Sequence, residues 1–351
     1  MRVLMVHVGN AIEKKTEFPD EYYLQRKSLV DGELQYFSKH DIINADSQMQ
    51  SIIREGIDVE YGHLSNRKSL KSLLKAGIQI RKICREEDIE LVHVLWGTTT
   101  ALFTLLFSPK PVIISFCGSD LLGAKDILGS VTRGGKISRL LSQIAGTLSK
   151  ANITKSEQMR STLWAFNRNK TTVIPNGVNL DGFYPIEKNI ARQNINLDIE
   201  KKYILFFYTE GQVVKNKKLA DEVFTIVKQK FPDSEIIYAS KIPHEKLLYY
   251  YNACEVMLLT SFHEGSNNSI KEARACNLPI VSVYAGDAKE RLEHVKNCFV
   301  LIPDAKQIAE KISLIFKNGE RSNGAEHSND VAMNFIAKRV IKVYKKALLK
   351  T

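Results

Sequence analysis

The sequence predicts an α/β protein built of two doubly wound, Rossmann-like domains, and three observations carry that prediction. Short β-rich runs alternate with amphipathic helical runs as far as about residue 318. Strand followed by crossover helix means parallel sheets covered on both faces. At 351 residues the chain is long for one core and fits two domains of about 170 residues each. A dense set of turn formers at Ile174–Pro185, IPNGVNLDGFYP, divides the two series.

In the first series strands are expected at Arg2–Val8, Ile57–His63, Glu90–Leu95, Pro111–Phe116, Ala151–Thr154 and Thr172–Ile174. Helical patterns fall between them near 21–38, 67–87, 98–107, 136–149 and 156–166. The second series places strands at Tyr203–Tyr208, Glu235–Ala239, Val256–Thr260, Pro279–Val283 and Cys298–Leu301. Its helices fall near 216–230, 244–252, 268–276 and 304–318, with a last helical stretch at 326–350. The domains read as 1–175, 176–328 and a terminal helix, 329–351.

Hydrophobic content of 44% and charged content of 25% are those of a soluble globular protein. No apolar run approaches the ~18 residues of a membrane span. The opening MRVLMVHVGN enters a β-like run without signal-peptide architecture. Five scattered cysteines, with no Cys-x-x-Cys pair, read as reduced thiols of a cytoplasmic protein. The net charge of +11 is spread over both halves, with one concentration between Asn66 and Arg85: seven basic residues and no acidic one. Arranged at helical spacing with leucines and isoleucines, these suit either a solvated helix face or contact with anionic headgroups. Without aromatic interleaving or a known nucleic-acid module, nucleic acid is not an expected partner.

The chemistry concentrates in FHEGSNNSIKEARACNLPIVSV, residues 262–283. Gly265, Ser266, Asn267, Asn268 and Ser269 open a helix whose unpaired N–H groups and positive dipole end suit a phosphate. Glu264 lies just outside that seat and Glu272 one to two turns into the helix, placed to grip hydroxyl groups on either side of a diphosphate. A Glu-x7-Glu spacing alone is common on solvated faces. The whole string, Glu-Gly-Ser, Lys-Glu-Ala, then Ala-Cys-Asn-Leu-Pro-Ile-Val-Ser, resembles the donor-site motif of glycosyltransferase family 4, the group 1 glycosyl transferases.

That resemblance implies a GT-B fold, with two Rossmann-like domains facing across a cleft and a C-terminal helix crossing back to the N-terminal domain. It implies a retaining hexosyltransferase using a nucleotide-diphosphate sugar and a glycan or lipid-linked acceptor, in surface polysaccharide or glycolipid biosynthesis. Glu272 would bond the ribose and Glu264 would face the donor sugar. Lys215, in KNKKLADEV after a strand, would neutralise the leaving diphosphate. The family commonly has an arginine shortly before that lysine; here stand Glu210, Gly211 and Gln212, and Lys217 or Lys218 is left to compensate. Asn176 and Gly177 match the family's Pro-Asn-Gly hinge at the cleft edge.

In the first domain Cys117-Gly118-Ser119-Asp120 resembles the family's His-Gly-Ser-Asp turn, with cysteine in the histidine's place. Asp120 is a candidate for orienting the acceptor or for capping the next helix. His93 in His93-Val94-Leu95-Trp96-Gly97 is either a core histidine or an acceptor contact. Residues following Gly9-Asn10, and Arg133-Gly134-Gly135-Lys136, read as loops at the acceptor side. Gly286-Asp287 through Arg291 resembles a family variant lining the nucleotide. No Asp-x-Asp is present, so no metal and no cofactor is expected. A cytoplasmic enzyme, peripheral on the inner face of the membrane, is the reading; a weakened sugar-nucleotide-binding subunit or a GT-B epimerase is the alternative.

Overall fold

Near-continuous apolar runs such as VIIS, VMLL and IVSV bury both faces of their strands, as in parallel sheets sandwiched by helices. The computed structural model describes residues 1–8, 34–37, 47–64, 70–126 and 129–349. The chain forms two compact units. The first comprises Met1–Ala124, Thr132–Ile174 and Ile336–Thr351; the second comprises Lys125–Val131 and Pro175–Phe335.

Unit 1 contains β1 (Arg2–Val8), β2 (Leu34–Phe37), α1 (Ser47–Arg54), β3 (Asp58–Leu64), α2 (Leu70–Glu86), β4 (Leu91–Leu95) and α3 (Thr98–Phe107). It continues with β5 (Val112–Ser115), α4 (Ser119–Leu122), α5 (Arg133–Leu148), β6 (Ala151–Thr154), α6 (Glu157–Ser161), α7 (Ala165–Arg168) and β7 (Thr171–Val173). Its sheet runs β2-β3-β1-β4-β5-β6-β7, parallel except for β2, which pairs antiparallel with β3.

Unit 2 contains α8 (Lys188–Asn194), β8 (Lys202–Phe207), α9 (Lys217–Lys230), β9 (Ser234–Ala239), α10 (His244–Ala253), β10 (Val256–Leu259) and α11 (Asn268–Ala275). There follow β11 (Ile280–Val283), α12 (Ala288–Leu292), β12 (Phe299–Leu301), α13 (Ala305–Asn318) and the start of α14 (Met333–Leu349). The sheet is wholly parallel, in the order β12-β11-β10-β8-β9.

Each face of the unit 1 sheet has its own core. On one face Leu73, Ala76 and Ile80 of α2, Ala101 of α3 and Ala145 of α5 pack with Leu4, Val92 and Ile114. On the other, Met49 and Ile52 of α1 and Ile336, Val340 and Tyr344 of α14 pack with Val3, Met5 and Ile113. The last helix of the chain therefore covers the first strand. His93 of β4 ties that helix to the middle of the sheet: Nδ1 lies 2.6 Å from Tyr344 Oη and Nε2 lies 2.8 Å from Ser115 Oγ of β5.

Three expectations are corrected here. Residues 34–37, expected within a helix, are an edge strand, and most of that expected helix lies outside the described residues. Arg133–Lys136 is the first turn of α5, capped by Thr132 Oγ1 accepting from Gly135 N at 3.0 Å. The basic run becomes helical at Leu70; residues 65–69, and the loop after Gly9-Asn10, lie outside the described residues.

Candidate active site

In unit 2 the chain leaves β8 for β9 on one side and later adds β10 on the other. Strand order reverses at that point, and the space beyond the carboxyl ends of β8 and β10 is where such sheets take ligands. Both loops there carry charged groups singled out from the sequence. Lys215 closes a 3-10 turn, Val213–Lys215, after β8; Glu264 lies in the loop after β10. Lys215 Nζ donates to Glu264 Oε1 at 2.8 Å, and Ser261 Oγ donates to the same oxygen at 2.8 Å. Both side chains keep some exposure, 18% and 17%, so the pair is open to an arriving ligand. Backbone bonds lace the loops together: Phe262 N to Val214 O, and Thr260 Oγ1 to Lys215 O.

From there the chain turns into α11 as the spacing of small polar residues requires. Asn267 caps the helix, its Oδ1 accepting from Ile270 N at 3.3 Å. Gly265, Ser266 and Asn267 are buried while Asn268 is exposed and Ser269 half-buried. Ser266 Oγ donates to Asp287 Oδ2 at 2.8 Å, which draws the loop toward the turn after β11. That turn needs Gly286, at φ +60°, because a Cβ there would stand 3.0 Å from the carbonyl oxygens of Glu264 and Gly265. Asp287 and Arg291 thus brace the loop from behind: Arg291 and Arg274 share Asp330, and Arg291 Nε stands 3.6 Å from Asp287.

Glu272 accepts from Tyr251 Oη through Oε2 at 2.6 Å. Burial pushes its carboxyl above the ordinary range, against the opposing pull of the Tyr251 hydroxyl and of His244 and Lys271. Asn176 joins the same site, donating through Nδ2 to Asn268 Oδ1 at 3.1 Å. Gly177 lies where a Cβ would meet Met333 Cα at 3.0 Å, beside the paired segments Val178 and Ala332.

Two features escaped the sequence reading. Residues 125–131, which sit between α4 and α5 in sequence, group with unit 2, and Lys125 Nζ donates to Phe262 O at 3.4 Å. A cation therefore reaches the donor loop from a segment with no recognisable motif. His263 is the second: its buried Nδ1 has no hydrogen-bond partner among the described residues. Burial lowers its pKa, and Lys125 and Lys215 both oppose its protonation. Its position beside Glu264 was the available signal. Lys217 is committed elsewhere, to Asp221 at 2.6 Å and the face of Tyr238 at 4.6 Å.

Asp120 belongs to unit 1. It is 1% exposed, and both carboxylate oxygens are taken by the loop's own amides. Oδ1 accepts from Gly118 N at 2.8 Å and Oδ2 from Gly97 N at 2.8 Å, with Cys117 N shared between them. Burial pushes its carboxyl up, and these amides pull it down. Its bonds run backward to two strand ends, a tie instead of an N-cap. The segment it holds is strained: Trp96 has φ +119° and Thr98 φ +65°. Gly97 between them is pressed so close that a Cβ would fall 2.5 Å from Ser142 Oγ. Trp96, Thr98, Thr99, Ser119, Thr132 and Ser138 line a polar pocket of about 350 Å³ at this spot. His93 does not reach it; the ring is wholly buried, and burial with nearby Lys155 lowers its pKa to about 3.

Two family models match the chain, one for each series of elements. The model described as Glycosyltransferase Family 4 matches residues 39–181, and that described as Glycosyl transferases group 1 matches residues 200–318. The chain belongs to glycosyltransferase family 4, group 1. One curated relative aligns directly. The N,N'-diacetylbacillosaminyl-diphospho-undecaprenol alpha-1,3-N-acetylgalactosaminyltransferase of Campylobacter jejuni subsp. jejuni serotype O:2 is 25% identical over 228 residues. The match covers 56% of this chain and spans 59% of the length of that relative.

Solved structures establish the GT-B fold of this family 4 chain. Sucrose-phosphate synthase (tll1590) from Thermosynechococcus elongatus superposes with a TM-score of 0.74 at 14% identity, covering 99% of this chain and 100% of that one. Anabaena Alr3699/HepE in complex with UDP gives 0.67 at 13% identity, covering 99% and 100%. No helix among the described residues is long and apolar enough to cross a membrane.

Proposed function

We propose that the chain is a retaining, metal-independent glycosyltransferase that moves a hexose-type sugar from a nucleotide-diphosphate sugar to a glycan or lipid-linked acceptor, in the building of a surface polysaccharide or glycolipid. The observation that carries the reading is the Lys215–Glu264 pair at the strand-order reversal of unit 2, beside the N-terminus of α11. The relative named above acts on a diphospho-undecaprenol acceptor and HepE is solved with UDP, which makes a UDP-sugar and a polyprenyl-diphosphate-linked sugar the first substrates to try.

An arriving diphosphate would compete with Glu264 for Lys215, and the exchange would free Glu264 for the hydroxyls of the donor sugar. The bond between the anomeric carbon and the diphosphate oxygen breaks while the acceptor oxygen bonds to that carbon on the same face. The acceptor proton passes to a departing phosphate oxygen. Lys215 and the first amides of α11 stabilise the charge that builds on the leaving group. Glu272 would hold the ribose from the side opposite Tyr251. The pocket beside Trp96 and Ser119 would seat the acceptor's head group.

The test is transfer from a panel of UDP-sugars by the purified protein, with and without chelator, with product stereochemistry read by NMR. Transfer with retained configuration that survives chelation is expected. Inversion at the anomeric carbon would end the retaining reading, and abolition by chelator the metal-independent one. Donor binding without hydrolysis or transfer would favour a binding subunit, and conversion of donor without acceptor an epimerase.

A further inference from the structure

Helices α2, α3 and α5 form one layer over one face of the unit 1 sheet, their inner residues in its core. Their outer faces are unusually apolar. Along α5, Ile137, Leu140, Ile144 and Leu148 make a single exposed stripe, Ile137 and Leu148 at 61% and 62%. On α2, Leu70, Leu74 and Ile78 repeat at every fourth residue on the solvent side. Leu106, 73% exposed, lies on α3 between them. Trp164 and Phe166, both exposed with rings 5.6 Å apart, extend the surface where Trp164 N bonds Gln143 of α5. Four neighbouring elements thus leave large apolar side chains in water, more than singly scattered exposure explains.

The charge on this layer is positive except for Glu86, which stands 3.9 Å from Lys82. Helix α5 carries Arg133, Lys136 and Arg139 and no acidic residue. Helix α2 carries Lys71, Lys75, Arg81, Lys82 and Arg85, with Glu86 at its last position. Helix α3 has no charged residue at all. Apolar stripes flanked by cations match a surface of acyl chains under anionic headgroups, with the tryptophan at the level of the boundary.

We propose that the outer face of α2, α3 and α5 docks unit 1 onto an anionic phospholipid bilayer. This deepens the reading of a lipid-linked acceptor and draws its purpose from it, since the carrier's head group would be met at the membrane surface. It also widens the contact expected from the basic run alone: α5 supplies the longest apolar stripe, and α2 supplies most of the cations.

The test uses the full chain with vesicles of phosphatidylcholine alone and of phosphatidylcholine with phosphatidylglycerol, with neither donor nor acceptor present. Co-sedimentation with the anionic vesicles only is expected. The combined variant Ile137→Ser, Leu140→Ser, Ile144→Ser should lower the partition coefficient roughly a hundredfold. Lys71→Gln, Lys82→Gln, Arg85→Gln should lower it by roughly as much at low salt and less at high salt. Leu140→Ser alone serves if the triple variant does not fold. Equal binding to both vesicles, or no loss in any variant, overturns the proposal. So does light scattering that shows a dimer which the serine variants dissociate, with no vesicle binding, because the occupant is then a second copy. Donor hydrolysis by the same variants in vesicle-free solution reports separately on the transferase reading and should match the unsubstituted protein.

Discussion

Lys215 and Glu264 form an ion pair at 2.8 Å with each side chain partly exposed. Removing either should therefore harm turnover more than folding, because the pair is open to solvent. Lys215→Ala is expected to lower kcat by about 10²–10³, the range for losing one donor to a developing anion, with the melting temperature little changed. A rise in KM with kcat unchanged would instead assign Lys215 to uniform donor binding. Asp120 predicts the opposite pattern. Its carboxylate is spent on the amides of Gly97, Cys117 and Gly118, and each amide left bare in a buried site costs about 1–3 kcal/mol. Asp120→Ala should thus unfold more readily, by several kcal/mol on that scale, as read by urea denaturation. Full stability with lost activity would return Asp120 to a direct part in the reaction. His263 and Lys125 show why residue-scale reading is incomplete: a lone cation in a loop between α4 and α5 carries no pattern until the chain folds it against Phe262.

At the scale of elements the donor half was the more legible. Strands such as KYILFF and VMLL are apolar runs of strand length bounded by turn formers, and the residues that open α11 announce its cap. Boundaries moved by a residue or two where helix ends fray. The first half was harder for physical reasons. Edge strand β2 is only four residues long and pairs antiparallel, too short a run to set a strand period apart from the helical one. Arg133-Gly134-Gly135 looked like a loop because glycine disfavours helix interiors, yet the first turn of a capped helix tolerates it. The expected helix near 156–166 is two short ones, interrupted where Trp164 N turns to Gln143. Among turns, Gly286 carries the plainest prediction. Gly286→Ala must bear both a positive φ and contact with two backbone oxygens, at about 1–3 kcal/mol. Since those oxygens belong to Glu264 and Gly265, donor affinity measured by calorimetry should fall together with stability. Unchanged affinity would separate the turn from the site.

For the molecule as a whole, the contact between His93 and Tyr344 couples acid sensitivity to the terminal helix. The imidazole is held neutral in the folded protein, at about 3, against 6.5 when exposed. Below pH 6.5 the unfolded chain takes up a proton that the folded one refuses, so stability falls as pH drops toward 3. The slope from this one group is about 1.4 kcal/mol per pH unit. His93→Gln should flatten that part of the curve in chemical denaturation at pH 4–6, though its stability at neutral pH is lower; an unaltered slope would show that the ring is charged in the fold. The same helix has a consequence for synthesis. Unit 1 contains both β1 and Ile336–Ala347 of α14, and the whole of unit 2 is translated between them. Until Ile336–Ala347 leave the ribosome, Val3, Met5 and Ile113 have only part of their cover on that face, from α1, whereas unit 2 is already complete. Unit 2, complete earlier, should be the first to resist protease on stalled nascent chains, and unit 1 should wait for its closing helix.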